Sequence, residues 1–239
     1  MNTSGFKPPK SDTRPVCIIP ARMGSRRIKN KGKVHLGGKT LVEHAILTAL
    51  ESKLFQLIAV SSDDEEILEI AYKYFSHGIV QPNKRPERMA GDDVLVKEVC
   101  LHTLRCYATN AAEFCLLIPN SPFRTASDLR KAYKIFRKSK ANYLITVKKY
   151  DTPPQMALKI EDGFITPKWG HENIKQSQDL EDLYYEDGAI CFAKINVFAN
   201  EFDLNFYGSK CLPYILPHPT MEIHTKEDLE RARDIWKRP

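Results

Sequence analysis

The residues best suited to chemistry lie together near the start of the chain, in the run Ala21-Arg22-Met23-Gly24-Ser25-Arg26-Arg27-Ile28-Lys29-Asn30-Lys31-Gly32. It follows directly on the short apolar stretch Val16-Cys17-Ile18-Ile19. Five cations, Arg22, Arg26, Arg27, Lys29 and Lys31, alternate with small residues. Glycine lets backbone N–H groups approach an anion closely, and the cations add charge, so the run suits a polyphosphate. When a triphosphate reacts with a hydroxyl, charge builds on the leaving pyrophosphate, and cationic groups aimed there lower the barrier. Neither a GxxxxGK[ST] loop nor a GxGxxG fingerprint is present. Composition alone describes a solvated basic loop equally well; the position after the first apolar run favours phosphate binding.

Three further clusters carry weaker signals. In Arg85-Pro86-Glu87-Arg88-Met89-Ala90-Gly91-Asp92-Asp93, Arg85 and Arg88 can grip a phosphate or carboxylate by forked hydrogen bonds, while Asp92 and Asp93 are placed to cap a following helix. In Pro119-Asn120-Ser121-Pro122-Phe123-Arg124-Thr125, Asn120, Ser121 and Arg124 are candidates for a base or sugar, against the alternative of a proline-stiffened turn capped by Thr125. In Met221-Glu222-Ile223-His224-Thr225, alternate residues of an extended segment share a face, so Glu222 and His224 can reach one Mg²⁺ or Mn²⁺. A glutamate and a histidine beside a helix cap are common on surfaces, and magnesium prefers oxygen ligands, so that pair alone decides nothing.

The elements that must position these clusters follow from hydrophobic periodicity. Val16–Ile19 and Leu57–Val60 are short apolar runs with the pattern of buried parallel strands. Between them, Thr40 with Glu43 forms a capping box opening a helix striped by Leu41, Ala45, Ile46 and Leu50. Residues 62–66 open a second helix over about 63–75, its acids where the dipole favours them. The alternation continues with a helix over about 94–108, a strand at Phe114–Ile118, a helix over about 127–139 opened by Thr125 or Ser127, and a strand at Tyr143–Val147. Gly188–Ala193 and Tyr214–Leu216 read as further strands, and Thr225–Trp236 as a closing helix. Such alternation implies a three-layer α/β/α fold, Rossmann-like, on a mostly parallel sheet. Residues 1–15, polar with three prolines, read as a flexible lead and 16–239 as one domain. Within it, about 150–187 is an excursion containing a hairpin around Glu161-Asp162-Gly163.

Composition limits the partners. Among 239 residues the net charge of +6 suggests a polyanion, but the first forty residues carry +9 and the remainder −3. Seven of those early cations lie between Arg22 and Lys39. This points to a small anion rather than a nucleic acid. No apolar stretch approaches the length of a membrane span, and the polar start lacks the core of a signal peptide, so a cytoplasmic location is expected. Six cysteines without CxxC spacing read as buried free thiols rather than disulfides or zinc ligands.

Taken in order, the blocks IIPARMGSRRIKNKG, GGKTLVEHAI, VSSDDEEI, RPERMAGDD, NSPFRTASDL and SQDLEDLYYEDGAICF resemble the cytidylyltransferases that activate acidic nine-carbon sugars (sialic, pseudaminic and legionaminic acids), with the Kdo enzymes as cousins. The resemblance runs from about residue 16 to 236. It implies a homodimer formed through an inserted segment, and transfer of CMP from CTP to the sugar's anomeric hydroxyl, assisted by Mg²⁺ or Mn²⁺. It also implies that Ala21, Arg22, Gly24, Ser25, Arg26, Lys31, Arg85, Asn120 and Ser121 bind nucleotide, with Arg22 and Lys31 as catalytic electrostatics. Arg124, Gln176, Gln178 and Tyr185 would face the sugar, and Glu222 and His224 the metal. Four positions depart from the family pattern: Glu222-Ile223-His224 stands for Asp-Ile-Asp, Ile118 for a Gln, Gly32 for an Asn, and Tyr185 for an Arg. They suggest a different acceptor, an altered metal preference, or a homologue that binds nucleotide or sugar without turnover.

Overall fold

Chain order in the computed structural model follows the expected alternation; it describes residues 12–25, 27–107, 109–170, 176–201 and 206–237. Strand β1 (Val16–Pro20) leads through the basic loop to a minimal hairpin, β2 (His35–Leu36) and β3 (Lys39–Thr40). Then come α1 (Leu41–Ser52), β4 (Leu57–Ser62), α2 (Glu65–Lys73), β5 (Val80–Lys84), α3 (Val96–Cys106), β6 (Glu113–Leu116), α4 (Ala126–Lys138) and β7 (Tyr143–Lys149). The excursion holds β8 (Leu158–Glu161) and β9 (Phe164–Pro167); the chain returns through β10 (Tyr184–Lys194), α5 (Ile195–Asn200), β11 (Cys211–Tyr214) and α6 (Lys226–Trp236).

Seven strands form one sheet in the order β11-β7-β10-β6-β1-β4-β5. All run parallel except β10, which is antiparallel to both β6 and β7. Alternate side chains divide between two cores. Cys17, Ile19, Ile58 and Val60 pack with α1, α2 and α4, while Val16, Ile18, Leu57 and Ala59 face α3 and α5. The three-layer arrangement is thus confirmed. A third, smaller core joins Ile28 of the basic loop to Leu36, Leu41, Ile223, Leu229 and Ala232, so α6 and the β2–β3 hairpin hold that loop from outside.

Three helices begin with the same device. Thr40, Thr125 and Thr225 each accept a hydrogen bond from the backbone N–H of the acidic residue three positions on, whose carboxylate in turn accepts from the threonine N–H. Such caps contribute about 1 kcal/mol each. Asp64 caps α2 through Glu66 N–H.

Several expectations are corrected. Asp92 and Asp93 do not cap α3; its N-cap is Leu95, without a side-chain bond. The strand expected at 214–216 lies at Cys211–Tyr214, and β10 starts four residues before Gly188, inside the expected excursion. Strand β5, the β2–β3 pair and α5 were not expected. The hairpin at Asp162-Gly163 is present, both residues having positive φ as its tight turn requires. Of the six cysteines, all free, Cys17, Cys100, Cys115 and Cys191 are buried, whereas Cys106 is exposed. No helix among the described residues is long and apolar enough to cross a membrane.

Candidate active site

The carboxyl ends of β1, β5 and β6 open onto one cavity of about 360 Å³, where ligands sit in open α/β sheets. Ala21, Arg22, Ser25, Arg27, Lys31 and Gly32 line one wall. Ile118, Pro119 and Asn120 come from beyond β6, and Arg85, Gly91, Asp92, Val94, Val96 and Val99 close the far side. The cavity therefore pairs a cationic half with an apolar half, as a polyphosphate joined to a base requires.

Local geometry fixes the basic loop. Ala21 N–H donates to Ser61 O at 2.9 Å and Met23 N–H to Asp63 Oδ1 at 3.1 Å, tying the loop to the end of β4. Arg22 Nη1 meets Asp92 Oδ1 at 2.5 Å and Gly91 O at 3.2 Å, spanning the cavity mouth. Asp92, three residues ahead of the α3 N-cap Leu95, thus faces Arg22. Asn30 adopts a left-handed conformation (φ 53°) that turns the chain so Lys31 re-enters the cavity. Burial pushes the Lys31 ammonium below its usual value, assisted by Arg27 and opposed by Glu222. Gly32 faces Val42 Cγ2 and Ile67 Cδ1, where an added Cβ would stand 3.1 and 3.2 Å away, so this position is packed against helix side chains. Gly24 has open space around it. Arg26 lies outside the described residues.

Arg85 is buried, its Nε donating to Ser61 Oγ and its Nη2 to Ser61 O, and burial pushes its guanidinium down. It is a fixed cationic floor rather than a mobile clamp. Arg88 is exposed and absent from the cavity lining. Asn120 Nδ2 donates to Glu222 Oε1 at 3.4 Å, while Asn120 Oδ1 is buried without a protein partner. Ser121 is turned away: its hydroxyl donates to Asp187 O at 3.5 Å, outside the cavity lining.

Arg124 corrects its expected role. It is 3% exposed, and its Nη1 donates to Ile118 O at 2.7 Å and Ser121 O at 2.9 Å. A guanidinium buried under a loop holds that loop in shape and cannot touch a sugar without unfolding it. Gln176 and Gln178 are exposed, bond to each other and lie outside the cavity lining. Tyr185 is exposed, packed on Tyr150 with ring centroids 4.8 Å apart. Burial and the charges of Asp151, Asp187 and Glu222 push its phenol up.

Glu222 and His224 do share a face, with Glu222 Oε2 and His224 Nε2 2.8 Å apart. They are held to the cavity because Ile223 N–H donates to Asn120 O. Gly188, at a β-bulge of β10 with φ 62°, makes the room: its missing Cβ would lie 2.2 Å from Glu222 Oε1. Among the described residues no group of three or more His, Cys, Asp or Glu converges on a cation site. One carboxylate beside a phosphate cavity nevertheless suits magnesium, which keeps several waters and binds one or two carboxylates plus substrate phosphates. His224, a nitrogen donor already paired with Glu222, suits it less well.

A family model described as Cytidylyltransferase matches residues 16–164, more than half of the chain. The protein belongs to the cytidylyltransferase family. The pseudaminic acid cytidylyltransferase of Campylobacter jejuni subsp. jejuni serotype O:2 is 30% identical over 227 residues, 93% of this chain and 96% of that protein. The N-acylneuraminate cytidylyltransferase of Escherichia coli O18:K1:H7 is 28% identical over 228 residues, 95% of this chain and 53% of that one. The fold of this cytidylyltransferase is shared with CMP:2-keto-3-deoxy-manno-octonic acid synthetase complexed with CTP (TM-score 0.67, 14% identity, 93% of this chain and 98% of that one). The sequence blocks thus led to the correct family. Local sequence did not disclose the apolar wall of Val94, Val96 and Val99, the Asp92 contact, or Gly188 as the seat of Glu222. The first had a legible signal in Val94 and Val96, apolar residues just before and at the start of α3 that its buried positions Lys97, Val99, Cys100 and Thr103 do not use.

Proposed function

We propose that this chain transfers CMP from CTP to the anomeric hydroxyl of an acidic nine-carbon sugar, releasing pyrophosphate. The observation that carries the reading is the cavity that sets Arg22, Arg27 and Lys31 on one wall against Arg85 and the apolar Val94, Val96 and Val99 on the far side, in a chain of this family. The sugar hydroxyl oxygen forms the new bond to the α-phosphorus, the bond to the β-phosphate oxygen breaks, and the hydroxyl proton passes to solvent. Arg22 and Lys31 stabilise the leaving pyrophosphate, and Arg85 fixes the nucleotide end. The unpartnered Asn120 Oδ1 accepts from a donor on the ligand. Magnesium or manganese, held by Glu222 together with substrate phosphates, supplies charge neutralisation when bound.

The hairpin β8–β9 exposes Leu158, Ile160, Phe164 and Ile165, each more than 60% accessible. Such an apolar surface supports a homodimer formed through it. The proposed reaction is a cytoplasmic one whose partners are CTP and the sugar; it requires no nucleic acid or membrane.

Incubation with CTP, Mg²⁺ and a panel of sialic, pseudaminic, legionaminic and Kdo acids should release pyrophosphate with at least one of them. No release with any would sink the enzyme reading. The Glu222–His224 contact favours a second reading, a homologue that binds nucleotide without turnover; calorimetric CTP binding without pyrophosphate would support it.

A further inference from the structure

Helix α6 reaches three of the segments that shape the cavity. Leu229, Ala232 and Trp236 recur at helical spacing on one of its faces. The first two are buried in the small core that also holds Ile28 and Ile223. Ile28 lies between Arg27 and Lys31, both on the cavity wall, and Ile223 directly follows Glu222. At the start of the helix, Asp228 Oδ2 accepts from His224 N–H at 3.0 Å and from Thr225 N–H at 2.8 Å, which ties it to the Glu222 segment. At its end, the Trp236 ring lies 5.8 Å from that of Phe123, in the loop that carries Asn120.

Trp236 closes this core over the β2–β3 turn. Its indole meets the His44 ring edge-on, centroids 4.7 Å apart, and His44 Nε2 lies 2.8 Å from Leu36 O. The indole also covers Gly37, where φ is 56°: a Cβ added there would collide with Nε1 and Cε2 and stand 2.6 Å from Cδ1. Glycine is therefore required at this position both by the backbone and by the ring above it. Neighbouring Gly38, with φ 83°, has nothing within 4 Å of its Cβ position. The hairpin continues the basic loop: Lys31–Lys33 forms one 3₁₀ turn, and Val34 O then accepts from Leu41 N–H at 3.0 Å. A ring seated on Gly37 thus limits where Lys31 can move. Trp236 is itself 40% exposed, so a single aromatic plate secures the hairpin from outside while the core beneath it stays buried.

We propose that Trp236 is a positioning residue for the nucleotide: seated on Gly37, it fixes the basic loop against the Glu222 segment, and CTP binding is transmitted to its ring. The proposal rests on the cytidylyltransferase reading above and adds to it a residue outside the cavity lining.

Calorimetry with CTP and Mg²⁺ on the full chain tests it. Trp236→Ala and Gly37→Ala, each first shown to be folded by circular dichroism, should raise the Kd for CTP by about tenfold, the cost of ordering a loosened loop. Trp236→Phe should restore most of the affinity. Gly38→Ala, which carries the strained backbone without the collision, should stay within about twofold of the parent. The double variant Gly37→Ala/Trp236→Ala should bind no more weakly than Trp236→Ala alone, because the two changes break one contact. A second measurement leaves the clasp intact. Trp169 is the only other tryptophan, so in Trp169→Phe the emission reports Trp236 alone; it should change on CTP addition and saturate at the calorimetric Kd. CTP affinity unchanged in both Trp236→Ala and Gly37→Ala, or a constant Trp236 emission while CTP binds, overturns the positioning role alone. Absence of CTP binding by the parent chain overturns the cytidylyltransferase reading, and the positioning role with it.

Discussion

Replacing Gly188 by alanine tests whether the seat of Glu222 matters more than the bulge that provides it. The new Cβ would lie 2.2 Å from Glu222 Oε1 and 3.1 Å from its Cδ. The carboxylate must therefore retreat by about 1 Å to restore ordinary contact. Retreat breaks its alignment with Asn120 Nδ2 and His224 Nε2. The backbone itself, at φ 62°, costs an alanine about 1 kcal/mol. Gly163 supplies the control: it has φ 82° with nothing within 4 Å of its Cβ, so Gly163→Ala carries the strain without the collision. Both variants should lose about 1 to 2 kcal/mol in urea unfolding. Only Gly188→Ala should lose turnover, by about 10²-fold, since a shift of about 1 Å near reacting groups has that effect. Pyrophosphate release across a Mg²⁺ titration reads the difference, and the half-saturating metal concentration should rise in Gly188→Ala alone. Equal activities in the two variants would show that the position of Glu222 is irrelevant to catalysis.

Arg124→Met removes the donor that holds Ile118 O and Ser121 O, and should cost about 3 kcal/mol in denaturant unfolding while raising KM for CTP; a loss below about 1 kcal/mol with CTP binding intact would remove its positioning role. Burial pulls the His218 imidazole down, but the hydrogen bonds to Asp128 and Pro219 O together with the Asp128 charge outweigh that and leave it above the ordinary 6.5. Its stabilisation is thus complete below about pH 6.5 and is lost as pH rises through the raised value, so His218→Gln should flatten that part of the stability profile; an unaltered slope would contradict the pairing. Ile160→Asp combined with Phe164→Asp should convert a dimer to a folded monomer in sedimentation velocity, and a monomeric parent protein would refute the hairpin as an interface.

The parts of the fold legible in the sequence are those governed by local rules. Thr40, Thr125 and Thr225 could be read as caps because the acid three residues on completes a short-range motif. The strand at Val80–Lys84 could not, since Gln81, Pro82 and Asn83 break the apolar pattern; it is tolerable because β5 is an edge strand, as is β11 with Pro213. Strand direction is likewise invisible to periodicity, so the reversal of β10 had no signature. The basic loop and Asn120 were legible as a site because each follows a strand's carboxyl end. Asp92 and Arg124 were misread for the opposite reason. Their partners, a guanidinium 70 residues away and two carbonyls of a folded-over loop, exist only after folding.

The reversal of β10 makes the excursion a detachable unit. Lys149 and Tyr184 face each other across the ladder, and Tyr150 N–H donates to Leu183 O, so residues 151–182 enter and leave the molecule at one point. Their two strands pair only with each other. Since loop closure grows by only about 0.6 kcal/mol per doubling of length, a lineage can lengthen, shorten or exchange this segment at little thermodynamic cost. The subunit interface proposed for this segment can therefore change without altering a single residue of the cavity lining, none of which falls within 151–182.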